Sequence, residues 1–443
     1  MNGKQDVSAQ QLAMQDISQM GAYSTAVAYV AQFYPLWFTY NQSRFATHNR
    51  LVGPDQVTPL YQIVVAINVD TLYASTFLEL AAEPVVLTIP ETTATYSVLT
   101  LDPYCDIFQT DIPPMTPGTY ALTGPGFTGT LPAEITPIAM PLDFSALIFR
   151  ADKYSSSGED QTSEAEQFRT SLKLQALSDY INDPSGGTAW ILPEVAFAIP
   201  YKTIADNLAT RDPITFLKQL QTAVASSNTP PMSPAVQALS DHFNLLFGAG
   251  NAKQPEFGAG AQAAHELIVD RYLSHTGPTS WITFTNIGAW GNNVVERSAI
   301  TEFIQYSNGR STAAYYHAFK DATGVPLDGN NGEGYVLTFA AGQIPQAKRF
   351  WSVTAYTPDS IELIDNSANK YGVASYEPGL QTNADGSLSI YVATQLPPGV
   401  PTANWLPVAH RRFNLMLRVY GPEGSVANNT YVPPGIQRNT ASK

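Results

Sequence analysis

One cysteine, Cys105, is all the thiol in this 443-residue chain, so no disulfide can form within it and no thiolate metal cluster is available. Charge is also scarce: 14% of residues are Asp, Glu, Lys or Arg, where about a quarter is usual. The 23 Lys and Arg are outnumbered by 37 Asp and Glu, giving a net charge of −14. No basic run offsets that excess. Nucleic acid is therefore not an expected partner, because phosphate neutralisation needs clustered cations, and anionic membrane surfaces are disfavoured for the same reason. The apolar stretches are well short of a bilayer span, so membrane insertion is not expected either. The first residues lack the apolar core of a signal peptide. A soluble protein is expected, either cytoplasmic or exported with its leader removed.

Several chemical signatures are missing as well. There is no Gly-x-Gly-x-x-Gly fingerprint, no P-loop and no Gly-x-Ser-x-Gly elbow. No organic cofactor is expected. The six histidines are scattered and form no His-Glu-x-x-His motif, so no metal site is expected. Asp328 to Glu333 lacks the register of a calcium loop and reads as a turn into the next strand.

What is present is ample apolar content, 44%, and 23 tyrosines. The length implies more than one core. Residues from about Ser8 to Phe45 have helical periodicity, which Pro35 is expected to break or kink. Short β-branched runs follow, among them Tyr61 to Val65, Pro84 to Ile89 and Tyr96 to Leu101. Helices are expected near 158–180, 212–225, 233–247, 259–275 and 296–322. Asp212-Pro213 has the form of an N-cap followed by proline in the first turn. Strands return at Tyr335 to Phe339, Phe350 to Tyr356, Ser387 to Val392 and Phe413 to Val419, with a hairpin-type turn at Asn383 to Gly386. The fold class that results is α+β and multidomain, with helical segments joined to two β-rich, sandwich- or jelly-roll-like domains. The expected division is a helical arm over 1–50, a β-rich domain over 51–157, a mainly helical middle over 158–325 and a β-sandwich-like domain over 326–443.

Polar residues concentrate at a few places between apolar runs. Asn68 to Tyr73 is the densest. Asp70 there is either a general base, with Asn68 and Tyr73 as hydrogen-bonding partners, or the cap of a local Asx turn. Asp102 and Tyr104 follow a strand, where they are either a second acid–base pair or an ordinary strand end. His48 is the histidine nearest the first cluster in sequence. Cys105 beside Tyr104 reads better as a small buried hydrophobe than as a nucleophile. In Phe413 to Tyr420, alternation puts Phe413, Leu415, Leu417 and Val419 on one face and Asn414, Met416, Arg418 and Tyr420 on the other. Arg418 thus serves either a substrate carboxylate or a structural ion pair. Tyr356, Asn404 and Trp405 add to the aromatic and amide content of the C-terminal half.

The motifs Asn68-Val69-Asp70-Thr71-Leu72-Tyr73, Asp102 with Tyr104, Arg150 after a strand, Phe350 to Tyr356, Asn404-Trp405-Leu406-Pro407 and Phe413 to Pro422 resemble a two-domain family. It is known as a domain of unknown function of the DUF1254 type followed by one of the DUF1214 type. The likeness runs from about His48 to Pro434. Departures are Ile67, Asn68 and Val69 where the family has Pro-Asn-Asn, Thr95 in place of an arginine, and Glu79 near a usual Asp. The resemblance implies two β-rich domains with helices and carries no established reaction.

Together these features predict an enzyme of the hydrolase, lyase or isomerase type acting on a small apolar or aromatic metabolite in a cleft between the two β domains. Asp70, His48, Tyr73, Asp102, Tyr104 and Arg418 are the expected catalytic residues; Asn68, Tyr356, Asn404, Trp405, Asn414 and Tyr420 are the expected ligand contacts. The alternative is a non-catalytic carrier or sensor. A homodimer is also an expectation, from the aromatic-rich composition and exposed sheet edges.

Overall fold

A computed structural model describes residues 17–54, 56–187 and 200–439. Ser8 to Asp16, the start of the expected first helix, lies outside the described residues. From Ala22 to Ser43 the chain is one helix, α1, and Pro35 sits inside it. Proline has no N–H for the carbonyl four residues back, here Ala31. That carbonyl accepts instead from the Ser298 hydroxyl at 2.9 Å, and the neighbouring Gln32 carbonyl accepts from Arg297 at 2.7 Å. Another helix thus satisfies the orphaned groups, and the expected break does not occur.

The first β-rich unit pairs two sheets. Strands β1 (Thr71–Glu79), β2 (Val85–Ile89), β3 (Tyr96–Leu101), β4 (Gly118–Thr123), β5 (Thr136–Ala139) and β6 (Phe144–Asp152) lead to helix α2 (Thr162–Ser171) and strand β7 (Lys173–Ala176). The sheet orders are β1-β6-β3 and β5-β4-β2-β7. Leu72, Leu147 and Phe149 from one sheet meet Leu87, Leu122 and Leu174 from the other in a shared core. The expected helix over 158–180 is therefore interrupted. Lys173 to Ala176 pairs with β2, because burying Leu174 against the sandwich outweighs local helix preference. A short helix α3 (Leu177–Asn182) follows.

The middle of the chain is helical: α4 (Tyr201–Arg211), α5 (Pro213–Val224), α6 (Pro234–Gly248) and α7 (Gln254–Leu273), then strand β8 (Trp281–Thr283) and helix α8 (Val294–Ile304). Helix α4 was not foreseen. Asp212 caps α5 as expected, accepting from the Thr215 N–H with Pro213 in the first turn. Helix α1 packs against α5, α6, α7 and α8. The expected helix over 296–322 ends at Ile304, and Ala313–Ala318 is strand β9. Tyr306 takes a positive φ of 60° after the helix, and every residue of β9 is buried.

The second β-rich unit also pairs two sheets. It comprises β8, β9, β10 (Tyr335–Phe339), β11 (Ala347–Tyr356), β12 (Gly372–Ala374), β13 (Leu388–Ala393), β14 (Trp405–Pro407), β15 (Asn414–Pro422) and β16 (Gln437–Arg438), with a short helix α9 (Gly424–Ala427). The orders are β14-β13-β10-β16 and β12-β11-β15-β9-β8. Asn383 to Gly386 is a turn, but β13 pairs with β10 and β14, so it closes no hairpin. The alternation in Phe413 to Tyr420 is as expected: Phe413, Leu415, Leu417 and Val419 face the sandwich core.

Two sheets, β1-β6-β3 and β12-β11-β15-β9-β8, are buried on both faces. Tyr73, Ala146 and Ile148 from the first, and Tyr315, Met416 and Tyr420 from the second, join the helices in a third core. This meeting of two sheets with the bundle is what positions the site. Among the described residues, no helix is long and apolar enough to cross a membrane.

Candidate functional site

Between these three walls lies a cavity of about 150 Å³. Strands β1 and β6 supply Tyr73, Phe77, Ala146, Ile148 and Arg150; β9 and β15 supply Tyr315, Arg418 and Tyr420. The segment Tyr61 to Asn68 forms another side, and α1 contributes Gln42. Tyr61 to Val65, expected as a strand, is irregular chain folded over the cavity. Ala66 there has φ 53°, which no strand permits, and its N–H donates to the Ile361 carbonyl at 3.0 Å.

Two guanidinium groups that line the cavity, Arg418 and Arg150, have definite anchors. Arg418 Nη2 donates to the Ala66 carbonyl at 2.5 Å, while its Nη1 is buried with no hydrogen-bond partner among the described residues. Arg150 donates to Asn308 Oδ1 at 2.5 Å and to the Tyr306 carbonyl at 2.7 Å, and lies 5.6 Å from the Tyr73 ring centre. Asn68 Nδ2 donates to the Tyr420 hydroxyl at 2.8 Å, and the Tyr356 hydroxyl donates to the Ile67 carbonyl at 2.6 Å. Burial pushes the Tyr356 phenol up to about 12, against the pull of Arg418, and holds Tyr420 well above its ordinary value. Both phenols are neutral hydrogen-bonding groups at pH 7. The Tyr73 hydroxyl has no partner among the described residues and borders the cavity.

Of the residues singled out in the sequence, Asn68, Tyr73, Arg418 and Tyr420 line this cavity, with Tyr356 beside Arg418 at 5.4 Å. Asp70 points the other way. Its carboxylate accepts from the Ser352 hydroxyl at 2.5 Å and from the Tyr376 hydroxyl, tying the first β unit to the second, and it borders a separate open groove with Lys153 and Tyr154. The Asx turn belongs to Asn68, whose Oδ1 accepts from the Asp70 N–H at 2.8 Å. His48 packs its ring on Phe144 with Nε2 3.2 Å from the Ser43 carbonyl.

The remaining residues lie elsewhere. Asp102 Oδ1 accepts from the N–H groups of Tyr104 and Asp106 in a turn; burial, reinforced by Asp106, pushes its carboxyl up to about 7. Tyr104 packs under Arg297, 4.6 Å from ring centre to guanidinium carbon. Burial pushes the Cys105 thiol up to about 12, which suits a packed hydrophobe and not a thiolate nucleophile. Asn404 bridges the backbone of Gln381 and Ser389, and the Trp405 indole donates to the Ala393 carbonyl at 3.0 Å. Asn414 donates to the Thr357 carbonyl and accepts from His317, on the same strand face as Arg418 but outside the cavity lining.

Arg150 and Tyr315 were absent from the expected contacts. Arg150 had a signal: it is the one cation in a nine-residue strand that is buried throughout. Tyr315 had none, because its segment read as helix. A second polar cluster also escaped notice. In the helical bundle Asp206, His265 and Glu302 present ligand-type atoms within 4.8 Å of one another. Lys202 Nζ donates to Asp206 at 2.8 Å and to Glu302, supplying a cation to both carboxylates. Tyr34 also donates to Glu302. Burial alone would lower the His265 imidazolium, but hydrogen bonds to Asp206 and Glu302 and their charges outweigh it and raise the group to about 9.

Two family models match the chain, each described as a protein of unknown function: DUF1254 over residues 48–176 and DUF1214 over 312–424. A crystal structure of the VPA0106 protein from Vibrio parahaemolyticus is similar in fold, with a TM-score of 0.62 at 19% identity over 95% of this chain and 100% of that one. A putative uncharacterized protein from Burkholderia cenocepacia matches at a TM-score of 0.45 and 15% identity, over 97% of this chain and 98% of that one. No curated protein matches. The chain thus belongs to the family in which a DUF1254 domain is followed by a DUF1214 domain.

Proposed function

We propose that this protein is an enzyme that processes a small, largely apolar molecule in the cavity between its two β-rich units, without an organic cofactor. The observation that carries this reading is the Tyr73 hydroxyl, unpartnered at the edge of a mostly apolar cavity and backed by the Arg150 guanidinium. A phenol hydroxyl beside a fixed cation can hand a proton to, or hydrogen-bond, an oxyanion as it develops. Pockets of this make-up, apolar with a few convergent polar groups, are the usual form of small-molecule sites. An apolar engineered cavity of about 150 Å³ takes benzene, so a ligand near that size is expected.

The carrier or sensor reading keeps one specific support. No carboxylate, imidazole or thiol is among the described residues lining the cavity, so a general base of the common kinds is missing there. One experiment separates the two. Purified protein is screened against pooled small metabolites by thermal shift, and each binder is then followed by mass spectrometry for conversion. A ligand at a hundred times its Kd stabilises by about 2.7 kcal/mol, a readily visible shift. The enzyme reading expects conversion by the wild type and at least tenfold slower conversion by Tyr73→Phe. Binding without conversion in either protein favours the carrier. Shifts that persist unchanged in the cavity-filling variant Ala146→Phe would rule out this cavity altogether.

A further inference from the structure

The cavity wall has a charge composition opposite to that of the chain. Acidic residues outnumber Lys and Arg by 37 to 23 overall, yet among the described residues the charged ones lining the cavity are Arg50, Arg150 and Arg418, with no Asp or Glu. None of the three makes an ion pair among the described residues. Arg150 and Arg418 are 6% and 2% exposed. Buried guanidinium groups without a carboxylate are costly, and a structural role alone would be expected to include one. Asp70, the acidic residue of the adjoining motif, directs its oxygens to Ser352 and Tyr376 instead.

The donors are also incompletely used. Arg418 Nη1 and Arg50 Nε are buried with no acceptor among the described residues, in a fold where such groups are normally satisfied. The carbonyls that accept from Arg418 and Arg150 both belong to residues in the left-handed region. Ala66, which receives Arg418, has φ 53°, and Tyr306, which receives Arg150, has φ 60°. Non-glycine residues persist in this region only when their surroundings force it, and they gather at functional sites. Arg418 on β15 and Arg150 on β6 line the same cavity from two different sheets. Guanidinium matches a carboxylate in shape and can bind it with two parallel hydrogen bonds.

We infer that the ligand is a small monocarboxylic acid, its carboxylate held by Arg418 and Arg150 and its apolar body against Phe77, Ala146 and Ile148. This rests on the cavity being the site and names the chemistry of what fills it. The acid neutralises buried positive charge that no described carboxylate pairs with, supplies an acceptor to Arg418 Nη1, and presents an apolar remainder to an apolar wall. Selectivity follows from the same terms. An amide of the same shape brings no charge and offers the guanidinium two further N–H donors where acceptors are needed.

The test is calorimetric titration with matched pairs: benzoate and benzamide, phenylacetate and phenylacetamide, hexanoate and hexanamide. At least one acid is expected to bind the wild type tenfold or more tighter than its amide. In Arg418→Met and Arg150→Met that ratio should fall towards one, whereas a general folding defect would weaken acid and amide together and leave the ratio unchanged. Arg418→Lys, which keeps the charge and loses the fork, should show an intermediate ratio. Amides binding as tightly as acids would overturn the carboxylate assignment while leaving the cavity reading intact. Binding of neither set would overturn both.

Discussion

His265 should make this protein less stable in mild alkali, and the size of the effect can be worked from its surroundings. Its Nε2 lies 3.1 Å from Asp206 Oδ1 and 3.9 Å from Glu302, in a cluster closed by Lys202 and Tyr34. Burial disfavours the imidazolium, but the two carboxylates more than reverse that and raise the folded-state value from 6.5 to about 9. The folded state therefore holds the proton more tightly than the unfolded chain. Its contribution is fully present below pH 6.5 and is lost as pH rises through 9. At about 1.36 kcal/mol per pKa unit the rise corresponds to about 3 kcal/mol. Urea unfolding at half-unit steps from pH 6 to 9.5, on wild type and His265→Gln, measures it. The wild type should lose about 3 kcal/mol more than the variant across that window. An NMR titration of the His265 ring proton gives the same quantity independently. Parallel stability profiles for the two proteins, or a ring titrating at or below 6.5, would refute the reasoning.

Asp70→Ala leaves the buried Ser352 hydroxyl and the part-buried Tyr376 hydroxyl without their carboxylate acceptor, and at about 1.5–3 kcal/mol per bond should destabilise the protein by about 3–6 kcal/mol in urea unfolding. Asp70→Asn keeps one acceptor oxygen and should lose about half as much; two variants as stable as wild type would show that this carboxylate does not join the β units. At Gly260 on α7 an added Cβ would come 2.5 Å from the Tyr23 carbonyl and 2.8 Å from Ala26 Cβ on α1. Gly260→Ala should therefore unfold at lower urea, by about 1–3 kcal/mol. Alanine's helix preference over glycine, about 1 kcal/mol, acts in the opposite direction, so a net gain would mean the two helices can separate slightly at little cost.

Periodicity and capping depend on neighbours in the chain, and those features were legible. The alternation in Phe413 to Tyr420 assigned each side chain to its face, and Asp212-Pro213 marked a helix start, because period and cap are properties of a few consecutive residues. The polar clusters were also visible as residues that a strand end does not need. Partners, however, were decided by packing across long separations. Asn68 and Asp70 are two residues apart, yet one meets Tyr420 and the other Ser352 and Tyr376. Ala313–Ala318 became a strand because β8 and β15 flank it, and Lys173–Ala176 because β2 offered an edge. The residue set of the cavity, and the ion cluster around His265, draw on side chains hundreds of positions apart. By itself the sequence determined a two-part α+β chain of this family with polar motifs at its strand ends. The tertiary structure alone decided which of those motifs share a cavity, because only the burial of both sheets against one helical bundle brings Arg150 and Arg418 to the same cavity.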